Sequence, residues 1–334
     1  MIVELVLHSE RKMARALIEE NDLAFEDGVD AMFGCYEGER LVATGSRSGN
    51  ILKMLAVTPE YQGGSMLGEL VTALVGNGMQ AGHESLFVYT KPEYITSFQA
   101  LNFALLVAHE KVALLEYGKG LTKWLKSQQD LLRGGINGAV VVNCNPFTNG
   151  HRYLIENSTH RVDNLYVFVV SEDRSSFPFD VRYRLVKEGL ADLDKVIVLD
   201  TSYYIVSSAT FPTYFLKKDD PVARIQMELD AQLFATKIAP FFGITHRFVG
   251  TEPTCALTSG YNLAMQQIFP SHGIQLNVIE RKRTAEGVIS ASKVRELLRH
   301  GDLTRITRYV PASTLAFLRS DAATPILQRL QTSR

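Results

Sequence analysis

The sequence is poor in cysteine, carries almost no net charge and lacks a long apolar run. Its three cysteines, Cys35, Cys144 and Cys255, are an odd number without paired spacing, so neither a disulfide framework nor a zinc site is indicated. A formal net charge of −1 gives no reason to expect a nucleic-acid or membrane partner. No apolar run reaches the roughly 18 residues of a membrane helix, and the first residues lack a signal-peptide pattern. We therefore expect a reduced, cytoplasmic protein.

The length and the patterning favour two domains. A chain of 334 residues is long for one domain and sufficient for two. Gly118-Lys119-Gly120 ends the first patterned region, and the pair Gly134-Gly135 ends the connecting helix that follows it. We predict an N-terminal α/β domain over residues 1–117, a linker helix over 118–135 and a second α/β domain over 136–334.

Strands and helices alternate in the N-terminal third. The strand assignments follow from short apolar runs bounded by turn residues, and the helix assignments follow from apolar residues three and four apart. The predicted strands are Ile2–Leu7, Met32–Tyr36, Leu41–Gly45, Ile51–Val57, Leu86–Tyr89 and a final strand over Val107–Leu115. The predicted helices are Met13–Glu20, Met66–Val75 and Tyr94–Leu101.

This order of elements resembles the GNAT-type acetyltransferase fold. The turn Val57-x-Pro59-x-Tyr61-Gln62-Gly63 and the helix after it are similar to that family's loop for the acetyl-CoA pyrophosphate. Where the family has small residues in this loop, the sequence has Ser65 and Leu67, and a leucine obstructs close approach of backbone to a pyrophosphate. Two interpretations stay open: a working acetyltransferase or CoA site, and a degenerate or substrate-positioning domain.

The second domain begins with a stretch that predicts an anion site. The β-branched run Ala139–Val142 suits a buried strand, turn-forming residues follow it, and the residues from His151 onward suit a helix. A strand, a tight loop and a helix start bring backbone N–H groups and the positive helix end to one point. That point favours an anion such as a nucleotide phosphate, and Thr148-x-Gly150-His151 lies there.

The rest of this domain predicts a doubly wound parallel sheet. A strand, a helix and a strand in close succession form a right-handed parallel crossover, and ligands of such sheets bind at the carboxyl ends of the strands. The later predicted strands are Leu165–Val170, Val196–Leu199, His246–Val249 and Leu276–Ile279, and the later predicted helices are Val181–Leu190 and Met227–Ile238.

A second chemical motif, Ile289-Ser290-Ala291-Ser292-Lys293-Val294-Arg295, lies near the end of the sequence. Ser290 or Ser292 can cap a helix. Taken alone, the motif fits a well-capped helix. Alternatively, the helix start and Arg295 hold the β- and γ-phosphates of ATP.

Together, these two motifs resemble the nucleotidyltransferase superfamily, which has Thr-x-Gly-His after a first strand and Ile-Ser-x-Ser-x-x-Arg near the end. With the GNAT-like domain ahead of them, the segments 145–154, 209–212, 245–253 and 289–292 resemble the citrate lyase ligase family over essentially the whole chain. That resemblance implies activation of acetate by ATP as acetyl-adenylate. Acetylation of the phosphoribosyl-dephospho-CoA thiol on the citrate lyase acyl carrier subunit would follow, with AMP and pyrophosphate as products.

The resemblance also implies roles for individual residues. His151 can donate a hydrogen bond to oxygens that gain charge in the transition state, Thr148 can hold a phosphate oxygen, and Arg295 can clamp the leaving pyrophosphate. These three residues form the predicted catalytic set. The predicted ATP-binding residues are Asn145, Pro146, Phe147, Gly150, Arg174, Gly250, Thr251, Glu252, Ile289, Ser290 and Ser292. Polyphosphate chemistry implies Mg²⁺, although the sequence predicts no cluster of protein metal ligands.

Some groups near these motifs are expected to have no chemical role. Arg281-Lys282-Arg283 suits a solvated turn, with phosphate contact as the alternative. Arg182 and Arg184 suit a solvated helix face, although either could reach into the site. Cys144 is expected to be a small buried apolar residue. Since the second half-reaction uses the carrier's own thiol, it requires no catalytic cysteine.

Two other functions fit parts of the pattern. A plain nucleotidyltransferase, such as a phosphopantetheine or nicotinamide mononucleotide adenylyltransferase, explains both phosphate motifs but not the N-terminal domain. A nucleotide-sensing regulator predicts ATP binding without turnover. In the favoured function, we hypothesise that the N-terminal domain keeps a pantetheine groove and guides the carrier's arm to the adenylate.

Overall fold

The computed structural model describes residues 1–173, 175–207, 222–251, 256–285 and 287–332. Their contacts define two compact units. Unit 1 contains residues 1–126 and 222–229, and unit 2 contains the described residues of 127–207 and 230–334. The predicted limits of the two domains and the linker stay a prediction. Among the described residues, no helix is long and apolar enough to cross a membrane.

Unit 1 is built around a mixed sheet. Its strands are β1 (Ile2–Glu4), β2 (Ala31–Glu37), β3 (Arg40–Ser48), β4 (Ile51–Val57), β5 (Leu86–Thr90), β6 (Phe103–Ala108) and β7 (Ala113–Tyr117). The helices in this part of the chain are α1 (His8–Glu20), α2 (Met66–Gln80), α3 (Ile95–Ala100) and α4 (Gly120–Ser127). The sheet order is β1-β2-β3-β4-β5-β7-β6, in which β4 and β5 are parallel and the other neighbours are antiparallel.

The predicted final strand over Val107–Leu115 is wrong, because the chain turns in the middle of it. Val107 belongs to β6 and Leu115 to β7, and the two strands pair as an antiparallel hairpin. The polar residues between them form the turn, which the amide of His109 closes by donating to the carbonyl of Val112 at 2.7 Å. A cluster of polar side chains inside an apolar run was therefore a turn signal.

The helix α2 covers this sheet with an apolar side. Leu70, Val71 and Leu74 are buried at positions three and four apart, as the sequence pattern predicts. Gly78 allows the helix to approach β5, because a Cβ at that position would lie 2.7 Å from the side chain of Leu86.

The segment 222–229 adds a buried carboxylate to unit 1, which the sequence did not indicate. Glu228 is 7% exposed. One of its oxygens lies 3.2 Å from Nε2 of His109, and the other lies 2.6 Å from Nε of Arg224. His109 is therefore a packing residue with an acidic neighbour.

Unit 2 is built around a parallel sheet. The strands of this part of the chain are β8 (Asn137–Val142), β9 (Asn164–Val169), β10 (Val196–Asp200), β11 (Ile244–Gly250), β12 (Gln275–Ile279) and the short pair β13 (Arg283–Thr284) and β14 (Gly287–Val288). The helices are α5 (Asn149–Thr159), α6 (Phe179–Gly189), α7 (Val222–Leu233), α8 (Ala239–Phe242), α9 (Ala256–Ile268), α10 (Ala291–Arg299), α11 (Leu303–Ile306), α12 (Ala312–Leu318) and α13 (Thr324–Thr332). Residues 222–229 of α7 belong to unit 1. A π-helical turn, Phe234–Ile238, follows α7.

The strand order β10-β9-β8-β11-β12, with every pair parallel, confirms the predicted doubly wound sheet. The predicted fold class, an N-terminal mixed-sheet domain followed by a parallel-sheet domain, is confirmed with it. After β8 the chain adds β9 and then β10 on one side of that strand. It then returns to add β11 and β12 on the other side of β8. The topological switch point therefore lies between β8 and β11, and ligands of open α/β sheets bind at the carboxyl ends of such strands.

Arg182 ties the carboxyl ends of two neighbouring strands to α6. Its guanidinium donates to the carbonyls of Phe177, Val170, Glu172 and Asn143 at 2.6–3.0 Å, and the side chain is fully buried. The expected solvated position of Arg182 is therefore wrong. Carbonyls that leave the strand ladder need donors, and a guanidinium supplies up to five.

Replacing Arg182 should destabilise unit 2 strongly. We expect Arg182→Met to lose about 3 kcal/mol of unfolding free energy, because several buried carbonyls lose their donor. The measurement is urea unfolding monitored by circular dichroism. Arg184→Met is the matched control, because Arg184 lies on the same helix with its side chain 52% exposed. Equal midpoints for the two variants would contradict the structural role of Arg182.

Candidate functional site

A cavity of about 110 Å³ lies at the switch point of unit 2. The carboxyl ends of β11 and β12, the start of α5 and the start of α10 surround it. Six of the predicted site residues line this cavity: Thr148, Gly150, His151, Gly250, Ile289 and Ser290. The structure therefore brings the two separate motifs to one place.

Thr148 fixes both the start of α5 and the orientation of His151. Its hydroxyl accepts the backbone N–H of His151 at 3.3 Å, which caps the helix. Its own backbone N–H donates to Nδ1 of His151 at 3.1 Å. Since Nδ1 accepts this bond, the proton of the neutral imidazole is on Nε2. The ring therefore offers an Nε2–H donor from a side chain that lines the cavity.

His151 is neutral at physiological pH. Burial, and secondarily the positive charge of Arg281, lower the pKa of its imidazole from 6.5 to about 4. The imidazole also stacks with the ring of Phe147, with centroids 6.1 Å apart and an interplanar angle of 14°. The neutral imidazole of His151, next to Arg281, can stabilise negative charge by donating a hydrogen bond. A neutral imidazole is, however, a poor general acid at neutral pH.

Gly150 joins the two motifs by direct contact. A Cβ on Gly150 would lie 3.0 Å from the carbonyl oxygen of Ile289, closer than side chains normally approach. The absence of a side chain therefore lets the first turn of α5 pack on the residue that precedes the α10 cap. The sequence predicts Gly150 as an ATP-binding residue, and the contact with Ile289 is a separate steric reason for a glycine at this position.

The helix α10 begins at the cavity and is tied back to the loop after β8. Ser290 caps α10, because its hydroxyl accepts the backbone N–H of Lys293 at 3.2 Å. One nitrogen of Arg295 donates to the carbonyl of Asn145 at 2.6 Å, and the other donates to the hydroxyl of Ser292 at 3.1 Å. Burial and the charge of Arg299 lower the pKa of Arg295. Arg295 and Ser292 are thus placed beside the cavity walls without lining the cavity.

Other predicted binding residues shape the loop after β8. The Asn145 side chain accepts the backbone N–H of Phe177 at 3.0 Å. Phe147 is fully buried, and its carbonyl accepts the hydroxyl of Thr314 at 3.0 Å. Pro146, between them, belongs to the same loop. Two further predicted residues, Arg174 and Glu252, lie outside the residues that the structure describes.

Arg281 is a site residue that sequence reasoning missed. We expected it in a solvated turn, but it lines the cavity beside Gly250. Its Nε donates to the carbonyl of Thr251 at 2.7 Å, and its backbone N–H donates to the Thr251 hydroxyl at 3.3 Å. Thr251, a predicted binding residue, therefore positions Arg281. The available signal was the position of the basic run one residue after the parallel strand β12, because ligands of such sheets bind at the carboxyl ends of the strands.

The described residues offer neither a cluster of protein metal ligands nor a reactive thiol at Cys144. Across 1–173, 175–207, 222–251, 256–285 and 287–332, no three His, Cys, Asp or Glu side chains converge as a metal site. Cys144 is buried, and burial raises the pKa of its thiol well above its ordinary value. That thiol is therefore a poor nucleophile, in agreement with the expected apolar role.

The parallel sheet and the cavity at its carboxyl edge define unit 2 as an open α/β domain with a candidate ligand site. A family model described as the citrate lyase ligase C-terminal domain matches residues 137–318. The [citrate [pro-3S]-lyase] ligase of Escherichia coli (strain K12) is 38% identical over 320 residues, which cover 93% of this chain and 91% of that protein. The enzyme of the same name from Klebsiella pneumoniae is 36% identical over 315 residues and 92% of each chain.

A third relative of that name, from Haemophilus influenzae, is 36% identical over 318 residues, or 92% of this chain and 94% of the relative. The similarity extends across both units rather than unit 2 alone. The chain belongs to the citrate lyase ligase family.

The tautomer and pKa of His151 are directly testable by nitrogen NMR. We expect the Nε2–H form at pH 7 and a titration near pH 4. Arg281→Gln should raise this pKa, because removing a nearby positive charge favours the protonated ring, while burial keeps it below 6.5. Lys282→Gln is the matched control and should leave the titration unchanged. A wild-type titration near 6.5 would contradict the assigned environment of His151.

Proposed function

We propose that the chain acetylates the phosphoribosyl-dephospho-CoA thiol of the citrate lyase acyl carrier subunit, using ATP and acetate and releasing AMP and pyrophosphate. The observation that carries this proposal is the convergence of the Thr148–His151 turn, the Ile289–Ser290 turn and Arg281 at one cavity. Membership in the citrate lyase ligase family supports the choice of reaction.

The cavity suits the phosphates of ATP. Two helices begin at it, and their capping residues, Thr148 and Ser290, both line it. Helix N-termini attract anions through their dipoles and first-turn N–H groups. Arg281 adds a full positive charge to the same space. Gly250 and Thr251, at the end of β11, are the proposed contacts for the ribose and adenine.

The first half-reaction is an in-line displacement at phosphorus. An acetate oxygen attacks the α-phosphorus of ATP, the bond to the bridging oxygen breaks, and pyrophosphate leaves with that electron pair. Such a step depends on positioning and charge stabilisation more than on a protein nucleophile. The Nε2–H of His151 donates to oxygens that gain charge, and Arg281 and Arg295 stabilise the departing pyrophosphate.

The second half-reaction transfers the acetyl group to sulfur. The carrier's thiol sulfur attacks the carbonyl carbon of acetyl-adenylate, AMP leaves with the electron pair of the C–O bond, and the thiol proton passes to solvent. The nucleophile comes from the substrate, which is consistent with the buried position and raised pKa of Cys144.

Mg²⁺ would bind at this site together with the phosphates of ATP. Mg²⁺ commonly takes one or two carboxylates together with substrate phosphates and water. Glu280 is exposed and lines the cavity, so it offers one carboxylate. When bound, the ion would neutralise phosphate charge.

Acetate-dependent exchange of labelled pyrophosphate into ATP, with and without the carrier subunit, tests the proposed function. Exchange should require acetate and should not require the carrier, because the adenylate forms before thiol transfer. Net AMP formation should require the carrier. Formation of a dinucleotide from ATP and a phosphorylated acceptor, without acetate, would instead indicate a plain nucleotidyltransferase. ATP binding without exchange would indicate a regulator.

His151→Ala should lower the exchange rate by about 10²–10³ and leave most of the ATP affinity, because a transition-state donor is lost. Since the pKa of His151 is about 4, its contribution should not change between pH 8 and pH 6. His160→Ala is the matched control, because His160 is exposed at the far end of α5. An unchanged rate in His151→Ala would remove the role assigned to this side chain.

Arg281→Gln should raise the KM for ATP by about tenfold or more, because a charged contact to phosphate is lost. The steady-state exchange assay measures this effect. Arg283→Gln is the control, since Arg283 belongs to the same basic run but is exposed and does not line the cavity. If both variants changed KM equally, the effect would come from general surface charge.

A further inference from the structure

The charged residues of the sequence are unevenly distributed along the chain. Residues 281–334 contain 11 of the 35 Lys and Arg residues but only 4 of the 36 Asp and Glu residues, so their formal charge is +7. Residues 1–280 contain 24 basic and 32 acidic residues and carry −8. A basic segment in a nearly neutral chain attracts anionic ligands. The proposed reaction uses only two of these positive charges, those of Arg281 and Arg295.

Arg299 extends the positive charge along α10, away from the catalytic cavity. It lies one helical turn after Arg295, on the same side of the helix. The two guanidinium groups are close enough to interact, since burial and then the charge of Arg299 lower the pKa of Arg295. Arg299 is exposed, and it forms no ion pair with a carboxylate of the described residues. Its charge is therefore available to a ligand.

The acidic residues nearest to Arg299 in sequence already have basic neighbours. A carboxylate oxygen of Glu296 lies 3.0 Å from Nζ of Lys293. A carboxylate oxygen of Asp302 lies 3.9 Å from Nε of Arg305. These pairs leave the charge of Arg299 in excess on this part of unit 2.

Arg308 brings another exposed arginine to the loop after β8. Its backbone carbonyl accepts the side-chain amide of Asn149 at 3.2 Å, at the end of that loop. Arg295 donates to the carbonyl of Asn145, nearer the start of the same loop. Two basic segments therefore flank the loop that leads into the catalytic cavity. We refer to Arg299 and Arg308 as the outer arginines, because neither lines the cavity.

The length of α10 fits the length of a pantetheine group. In dephospho-CoA, pantetheine separates the thiol from the diphosphate by a backbone of about twelve bonds, equivalent to about four extended residues or about 14 Å. The rise of an α-helix places Arg299 about 13 Å along the axis from Ser290, which lines the cavity. A thiol at the cavity would therefore leave its diphosphate within reach of Arg299.

We propose that the outer arginines bind the diphosphate of the carrier's prosthetic arm while the thiol of that arm reaches the catalytic cavity. The inference rests on the proposed function, which supplies a thiol substrate on an arm derived from dephospho-CoA. Two guanidinium groups match a diphosphate in charge, and each can hold two phosphate oxygens. The outer arginines therefore govern use of the carrier in the second half-reaction.

The direct test is calorimetric titration of the full chain with dephospho-CoA and, separately, with pantetheine, which lacks the diphosphate. Saturating ATP without acetate fills the nucleotide site and prevents turnover. We expect the wild type to bind dephospho-CoA about tenfold more tightly than pantetheine, because two charged contacts are added. Arg299→Glu should remove most of this preference, and Arg299→Gln should remove part of it.

Arg319→Glu is the matched control. Arg319 is also exposed, belongs to the same basic segment and follows the last residue of α12, as Arg299 ends α10. Both substitutions therefore make the same change of charge at the C-terminal end of a helix. Arg319→Glu should alter the preference for dephospho-CoA by less than about twofold.

Carrier acetylation gives a second measurement. Arg299→Glu should raise the KM for the carrier subunit by about tenfold, and Arg308→Glu by about threefold or more, whereas Arg319→Glu should not. The rise in the KM for the carrier should exceed any rise in the KM for ATP by about fivefold. The carrier subunit without its arm should inhibit the wild type and Arg299→Glu equally.

Four results would each overturn the inference: equal binding of dephospho-CoA and pantetheine by the wild type, equal effects of Arg299→Glu and Arg319→Glu, equal rises in both KM values, and weaker inhibition of Arg299→Glu by the armless carrier. The third result would assign Arg299 to ATP, and the fourth would assign it to acidic side chains of the carrier. Wild-type pyrophosphate exchange separates the two failures. Exchange without a preference for dephospho-CoA refutes the assignment of the outer arginines alone, and absence of exchange refutes the proposed function.

Discussion

The candidate site depends on the hydrogen bonds between Thr148 and His151. The backbone N–H of Thr148 donates to Nδ1 of the imidazole, while its hydroxyl accepts the backbone N–H of His151, the third residue of the capped helix. One residue therefore ends the loop, starts α5 and selects the imidazole tautomer. Without the bond to Nδ1, the proton could occupy either nitrogen, and the ring would have no fixed donor direction. The low pKa then ensures that the donor is neutral before any substrate arrives.

A second constraint joins segments that are far apart in sequence. Gly150 rests on the Ile289 carbonyl, and Arg295 donates to the carbonyl of Asn145. The starts of α5 and α10 are thus held together by protein contacts alone. A ligand that neutralises both helix starts would find them already in place, so little of its binding energy would be spent on ordering them.

Much of this arrangement could be predicted from the sequence. The strand-to-helix turn at His151, the capped helix after Ser290 and the parallel sheet each have a local signal: apolar periodicity, turn residues or a capping side chain. The predictions failed where tertiary contacts determine the outcome. Arg182 has the local pattern of a surface helix residue, yet it is buried because strand-end carbonyls require its donors. Arg281 likewise belongs to a basic run whose sequence is typical of an exposed turn. In the structure its guanidinium donates to the carbonyl of Thr251, and the side chain lines the cavity.

The segment 222–229 has a consequence for how the chain can be divided. Glu228 belongs to unit 1, although the 101 residues 127–227 separate it from the end of that unit's main segment at residue 126. A fragment that stopped at residue 126 would leave His109 without its carboxylate neighbour. A fragment that began at residue 127 would carry Glu228 without its neighbour His109. Unit 1 therefore cannot be excised by a single cut in the sequence, and a gene fusion or exchange between relatives would have to preserve both segments of unit 1.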